Sequence, residues 1–247
     1  HLAHLICFIL RKVKPNRLDP YASLFEKAFS KNEFSKIKNR VITFNYDDLL
    51  DRHFVEKFGL RKTYFDRLKK GKDSSARRAK EDKVENPLLL KLHGSVNWMC
   101  ETSELERVIT GTETEEKPYK IPSIWYSKKK VPKPDDKESP LIIPPLPVKP
   151  ITSIEIFRWL WTRAYEYLHE AKELVVCGYS LPETDRMALS LFSNFENQHM
   201  ERVTVVDNDP AVLSKWRQLL RRKGINKDAR WSYCETFEEY TEQLELK

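Results

Sequence analysis

The stretch Val203-Thr204-Val205-Val206-Asp207-Asn208-Asp209-Pro210 runs an apolar segment straight into acids, an asparagine and a proline. Near-continuous apolar character predicts a strand covered on both faces, as in a parallel sheet. Asp209-Pro210 marks a helix start with proline in the first position. Four other segments share the strand character: Val41-Ile42-Thr43-Phe44, Leu88-Leu89-Leu90-Lys91-Leu92, Leu174-Val175-Val176-Cys177 and Trp231-Ser232-Tyr233-Cys234. Helices are expected between most of them. Asp47 to Phe58 stops at Gly59, a C-terminal signal. Ile154 to Ala171 puts Phe157, Leu160, Trp161, Ala164, Tyr165 and Leu168 on one face, and opens with Thr152 and Glu155 at capping-box spacing. Glu183 to Phe195 reads as a further helix, and Thr236 with Glu239 as a last capping box.

This alternation predicts an α/β fold: a doubly wound, mostly parallel sheet with helices on both faces. Two regions interrupt it. Residues 61–87 are rich in charge, and residues 101–150 are polar and then proline-rich, through Val131-Pro132-Lys133-Pro134 to Ile143-Pro144-Pro145-Leu146-Pro147. Both are expected to be insertions, long loops or a small subdomain within a single domain over residues 1–247.

Composition narrows the function. With 40% hydrophobic residues in a chain of 247, a core can form. Lysine and arginine number 44 against 37 acids, a net charge of +7, which tolerates anionic ligands. The basic runs Lys128-Lys129-Lys130 and Arg221-Arg222-Lys223 lie among acids and read as solvated faces, so nucleic acid is not the expected partner. The glycines are Gly59, Gly71, Gly94, Gly111, Gly178 and Gly224, no two within ten residues of each other, so neither a GxGxxG nor a Walker A loop is present in this sequence. The four cysteines show no CxxC spacing, and the six histidines form no HExxH motif or ligand cluster. No catalytic metal is expected. The longest clean apolar run, Leu5 to Leu10, is too short to span a membrane, and a reducing, cytoplasmic setting is expected.

In doubly wound sheets, ligands bind beyond the carboxyl ends of the strands. Those ends carry Thr43-Phe44-Asn45-Tyr46-Asp47-Asp48, His93-Gly94-Ser95-Val96-Asn97-Trp98, Gly178-Tyr179-Ser180-Leu181-Pro182 and Asp207-Asn208-Asp209-Pro210. A histidine handles protons near neutral pH, and an asparagine positions groups without titrating. Each candidate has a simpler reading. His93 alone suits a hydrogen-bonded turn, Asn45 or Asp47 suits a helix N-cap, and Ser180 stands at capping-box spacing from Glu183. Asp207 suits either a turn or a ribose-binding acid.

TFNYDDLLD, LKLHGSVNW, VVCGYSLPETD and VTVVDNDP, in this order, resemble the sirtuin-like domain family over roughly residues 36–247. More narrowly they resemble its zinc-less bacterial branch, found in NAD-cleaving antiphage defence proteins. The resemblance implies a Rossmann-like sheet that binds NAD+ and breaks its nicotinamide–ribose bond. It assigns His93 and Asn45 to catalysis, and Thr43 and Asp47 to the nicotinamide and ribose pocket. Gly178, Tyr179, Ser180, Asp207 and Asn208 would hold the rest of the dinucleotide. The family's first strand and its GAG-type pyrophosphate loop are not found in the sequence, which opens on His1. That strand is therefore expected in the intact protein, together with further domains or a homo-oligomer. The sirtuin zinc cysteines are absent, which counts against a peptide deacylase. Two readings stand: an NAD+ glycohydrolase acting as a defence effector, or a non-catalytic module that binds NAD+ or ADP-ribose or serves in assembly.

Overall fold

The computed structural model describes residues 3, 5–7, 10, 20–29, 39–65, 68–69, 87–110, 119–121, 123–127, 132–133, 136–144, 153–194, 196–222 and 224–244. They are mixed α/β, with two parallel sheets, one four-stranded sheet that is mainly antiparallel, and helices on both sides. The chain divides into two compact units, His1–Tyr21 with Lys38–Leu160, and Ala22–Ile37 with Trp161–Lys247.

In the first unit, β1 (Val41–Thr43) pairs in parallel with β3 (Leu89–Lys91), with Thr43 opposite Lys91. Leu88, Leu89 and Leu90 are fully buried, as a strand covered on both faces requires. A second sheet runs in the order β2-β5-β4-β6, formed by Leu68–Lys69, Ile124–Tyr126, Gly94–Glu101 and Glu138–Ile142. The stretches expected as insertions thus supply β2, β5, β6 and the helix Thr102–Thr110. The basic run Lys128-Lys129-Lys130 and the prolines from Pro145 onward lie outside the described residues.

Strand β4 was not legible as a strand. The sequence reading made Gly94 to Trp98 a strand-end loop, yet the chain turns only at Leu92-His93 and re-enters as an eight-residue strand. Its polar Ser95 and Asn97 hid the pattern, because both are buried and face buried polar partners. Trp98 meets Tyr64 and Phe65 edge-on, at centroid separations of 5.2 and 5.1 Å. The turn depends on Gly94. Its φ is +81°, and a Cβ there would lie 2.1 Å from the Leu141 carbonyl oxygen.

The helix Leu49–Thr63 follows β1. At Gly59, where the sequence reading ended it, φ is 76° and ψ 166°, a break after which the chain makes one more turn.

In the second unit, β7 (Glu173–Cys177), β8 (Arg202–Val206) and β9 (Arg230–Cys234) are parallel and adjacent in that order. The helix Arg186–Asn194 buries Ala188, Leu191 and Phe192, and Ala211–Arg221 buries Val212, Trp216 and Leu220. Phe192 and Trp216 pack edge to face at 4.7 Å. The helix Glu155–Glu170 begins in the first unit and passes into the second at Trp161; its expected apolar residues are buried except Tyr165, which is 40% exposed and stacks on His169. Thr152, its expected cap, lies outside the described residues. Asn197 Nδ2 closes the end of that helix by donating to the carbonyls of Leu168 and Ala171, at 2.8 and 2.7 Å. The final capping box forms in part: Thr236 Oγ1 accepts the Glu239 N–H at 3.1 Å, while Glu239 reaches the Glu235 N–H at 2.8 Å. No helix among the described residues is long and apolar enough to cross a membrane.

Candidate functional site

On the first unit, the loop after β1 is tied to the β3–β4 turn. The Thr43 carbonyl accepts the Leu92 N–H at 3.0 Å, and the Tyr46 carbonyl accepts the Val96 N–H at 2.9 Å. The Tyr46 hydroxyl donates to the Ile143 carbonyl at 2.6 Å. Between these anchors, Asn45 donates its backbone N–H to Thr43 Oγ1 at 3.1 Å, and the residue is exposed. Thr43, Asn45 and Asp47 therefore share one fixed loop, with the asparagine presented to solvent.

His93 occupies the turn against this loop. Its ring lies 5.4 Å from that of Phe44 and 6.1 Å from that of Tyr46, and it is only 4% exposed. Its carbonyl accepts the Ile143 N–H at 2.8 Å. Neither Asn45 nor Asp47 is the N-cap, which falls at Asp48 without a side-chain cap bond; Asp47 Oδ1 instead accepts the Leu49 N–H at 3.1 Å and closes a turn just ahead of the helix.

Beneath the loop is a buried polar network that the sequence reading missed. Lys91 and Asp51, each 1% exposed, form an ion pair at 2.9 Å. Lys91 Nζ also donates to the Asp47 carbonyl. Asp51 Oδ1 receives the Tyr64 hydroxyl, with Ser95 Oγ at 3.5 Å and Asn97 Nδ2 at 3.4 Å. Burial, and then the Asp51 charge, push the Tyr64 phenol well above its ordinary 10.0, so it stays a donor. The available signal was a lysine inside an otherwise apolar strand.

On the second unit, a cleft of about 520 Å³ opens at the carboxyl ends of β7, β8 and β9. Gly178, Ser180, Asp207, Asn208, Asp209 and Glu235 line it. Gly178 has φ +60° and open space where a Cβ would stand. Ser180 does not cap a helix: the helix begins at Arg186, where Asp185 Oδ1 accepts the Ala188 N–H at 3.4 Å. Asp207 Oδ1 accepts the Asp209 N–H at 3.0 Å, and Asp209 Oδ1 accepts the Ala211 N–H at 2.9 Å, so both acids also shape the turn. Tyr179 packs against Phe192 and Trp216, and its carbonyl accepts the Trp216 indole N–H at 2.9 Å. It supports the cleft from behind. The Cys177 thiol reaches the cleft surface, but the protein around it, with Cys234, pushes its pKa up to about 12.

Among the described residues, the lining carries three carboxylates and no lysine or arginine. Carboxylates accept hydrogen bonds from hydroxyls, which suits the diol of a sugar. Among the described residues, no group of three or more His, Cys, Asp or Glu side chains is placed to hold a metal ion.

Parallel strands whose carboxyl ends carry polar loops and a carboxylate-lined cleft have the layout of a nucleotide-binding α/β protein. The chain belongs to the SIR2-like domain family, whose model matches residues 39–226. That family's function is NAD-related in general. No curated protein matches the chain. A solved structure described as "The Structural basis of Sirtuin Substrate Affinity" aligns over 96% of this chain and 70% of its own, at 14% identity and a TM-score of 0.43.

Proposed function

We propose that this protein is a zinc-independent NAD+ glycohydrolase, releasing nicotinamide and ADP-ribose, and that it serves as the effector of a bacterial defence protein. The observation that carries this reading is Asn45, exposed on a loop anchored on both sides against the turn of His93. Nicotinamide in NAD+ is already cationic and leaves without a general acid. Positive charge then builds on the ribose, as in glycoside cleavage. Asn45 would hold the attacking water or the ribose, and His93 would handle the proton near the ribose hydroxyls. Thr43 and Asp47 would bound the nicotinamide pocket. On the second unit, Gly178 and Ser180 are assigned to the phosphates, and Asp207 with Asn208 to the adenosine-side ribose hydroxyls. Tyr179 would act through Trp216, by fixing the loop that carries Gly178 and Ser180.

One observation favours the second reading, a module that binds NAD+ or ADP-ribose without turnover. His93 lies between two aromatic rings with little exposure, as a structural histidine would. NAD+ consumption by the intact protein, with nicotinamide and ADP-ribose followed as products, separates the two. Turnover lost in both His93→Ala and Asn45→Ala, with the fold retained, supports the enzyme. Binding without turnover in the wild type supports the module.

A further inference from the structure

We infer that Lys91 is a positioning residue: its buried ammonium holds the Asp47 carbonyl and so sets the conformation from which Asn45 is presented. The consequence for turnover rests on the glycohydrolase reading, whereas the consequence for the loop does not.

A lysine 1% exposed in a strand flanked by fully buried leucines is costly unless its charge is met. Asp51 meets it, at 2.9 Å and equally buried. Apolar residues of similar volume often replace a buried ion pair without loss of stability, so filling the space does not by itself account for a lysine at this position. What an apolar side chain cannot do is donate to the Asp47 carbonyl, which Lys91 does. The loop is held at three carbonyls. Those of Thr43 and Tyr46 receive backbone N–H groups, which any sequence supplies. The third, at Asp47, receives a side chain, and it stands where the loop passes into the helix Leu49–Thr63. Asp51 projects from the first turn of that helix, so the ammonium binds the loop end and the helix start together. Tyr64, Ser95 and Asn97 surround the Asp51 carboxylate and fix its direction. Lys91 ends β3 two residues before His93, so one strand and the turn directly after it carry the anchor of the asparagine loop and the histidine.

The test compares the wild-type protein, Asp51→Asn, and the double variant Lys91→Met/Asp51→Asn. Asp51→Asn keeps the ammonium on the Asp47 carbonyl but leaves its charge without a counter-ion, so it is expected to unfold at a lower temperature than the wild type, and the wild type serves as the reference if it does not fold. The double variant removes both charges and the anchor, without leaving a lone buried charge. Backbone amide exchange and steady-state NAD+ cleavage are measured on all three, with thermal unfolding as the fold control. The expected result is a double variant folded like Asp51→Asn, with exchange at least tenfold faster confined to residues 44–49. Its kcat is expected to fall at least tenfold relative to Asp51→Asn, with KM within about threefold. Unchanged loop exchange overturns the inference. So does exchange accelerated throughout the first unit, or a double variant that fails to fold while Asp51→Asn folds, since Lys91 is then a general core residue. A wild type that does not cleave NAD+ ends the glycohydrolase reading, and the exchange comparison alone then decides the role of Lys91.

Discussion

Asp47 Oδ1 accepts the Leu49 backbone N–H at 3.1 Å, so an acid assigned to the nicotinamide pocket also closes the turn that leads into the helix Leu49–Thr63, whose N-cap is Asp48. The two roles separate by substitution. Asp47→Asn keeps an acceptor and is expected to hold stability within about 0.5 kcal/mol, whereas Asp47→Ala is expected to cost about 1 kcal/mol in urea unfolding. If the carboxylate itself serves in NAD+ cleavage, both variants lose turnover. Full turnover in Asp47→Asn would restrict the residue to closing this turn.

Gly94 is expected to tolerate no side chain. With φ at +81° and the Leu141 carbonyl oxygen 2.1 Å from the position of a Cβ, Gly94→Ala must shift β4 or β6. A loss of about 3 kcal/mol combines the unfavourable φ with the overlap. Urea unfolding measures it, and a loss under about 1 kcal/mol would show that the turn yields.

Stability should fall at alkaline pH partly through Tyr64. The fold holds its phenol well above the ordinary 10.0, by burial and by the Asp51 charge. Above pH 10 the unfolded chain releases that proton while the native state retains it. The stabilisation is therefore complete below pH 10 and declines as pH rises beyond it. Tyr64→Phe is expected to lose about 1–3 kcal/mol at pH 8, because Asp51 loses a buried donor. It should also show a shallower decline above pH 10 than the wild type. Parallel declines would place the titration elsewhere.

Cys177 should label slowly despite reaching the cleft surface. Its thiol is pushed up to about 12, and the thiolate is the reactive form. Alkylation by iodoacetamide at pH 8, with the site located by mass spectrometry, is expected to be more than tenfold slower than for a free thiol of pKa about 8.5. Labelling at the free-thiol rate would contradict this.

The strands were legible where both faces are apolar. Leu88 to Leu92 and Val203 to Val206 read as buried strands because nothing polar interrupts them beyond single residues, and each forms one. Strand β4 was not legible, since the burial of Ser95 and Asn97 depends on Asp51 and Tyr64, which are distant in sequence. Capping followed local spacing at Thr236 and failed at Ser180, where the helix starts at Arg186, three residues after the expected Glu183. Local sequence offers several possible caps, and packing of Ala188, Leu191 and Phe192 selects the start.

The sequence by itself determined the α/β class, the order of the apolar strands and the polar residues at their ends. Those features rest on residue type and near-neighbour spacing, which need no tertiary information. Only the tertiary structure decided which end residue does what. It turned Tyr179 toward Trp216, left Ser180 lining a cleft, and set Asp47 to close a turn ahead of a helix while Asn45 stayed exposed. It also joined Lys91 to Asp51 and Asp47 across 40 and 44 residues of chain. Hydrogen bonds and ion pairs act over a few ångströms, and folding alone determines which distant residues come that close.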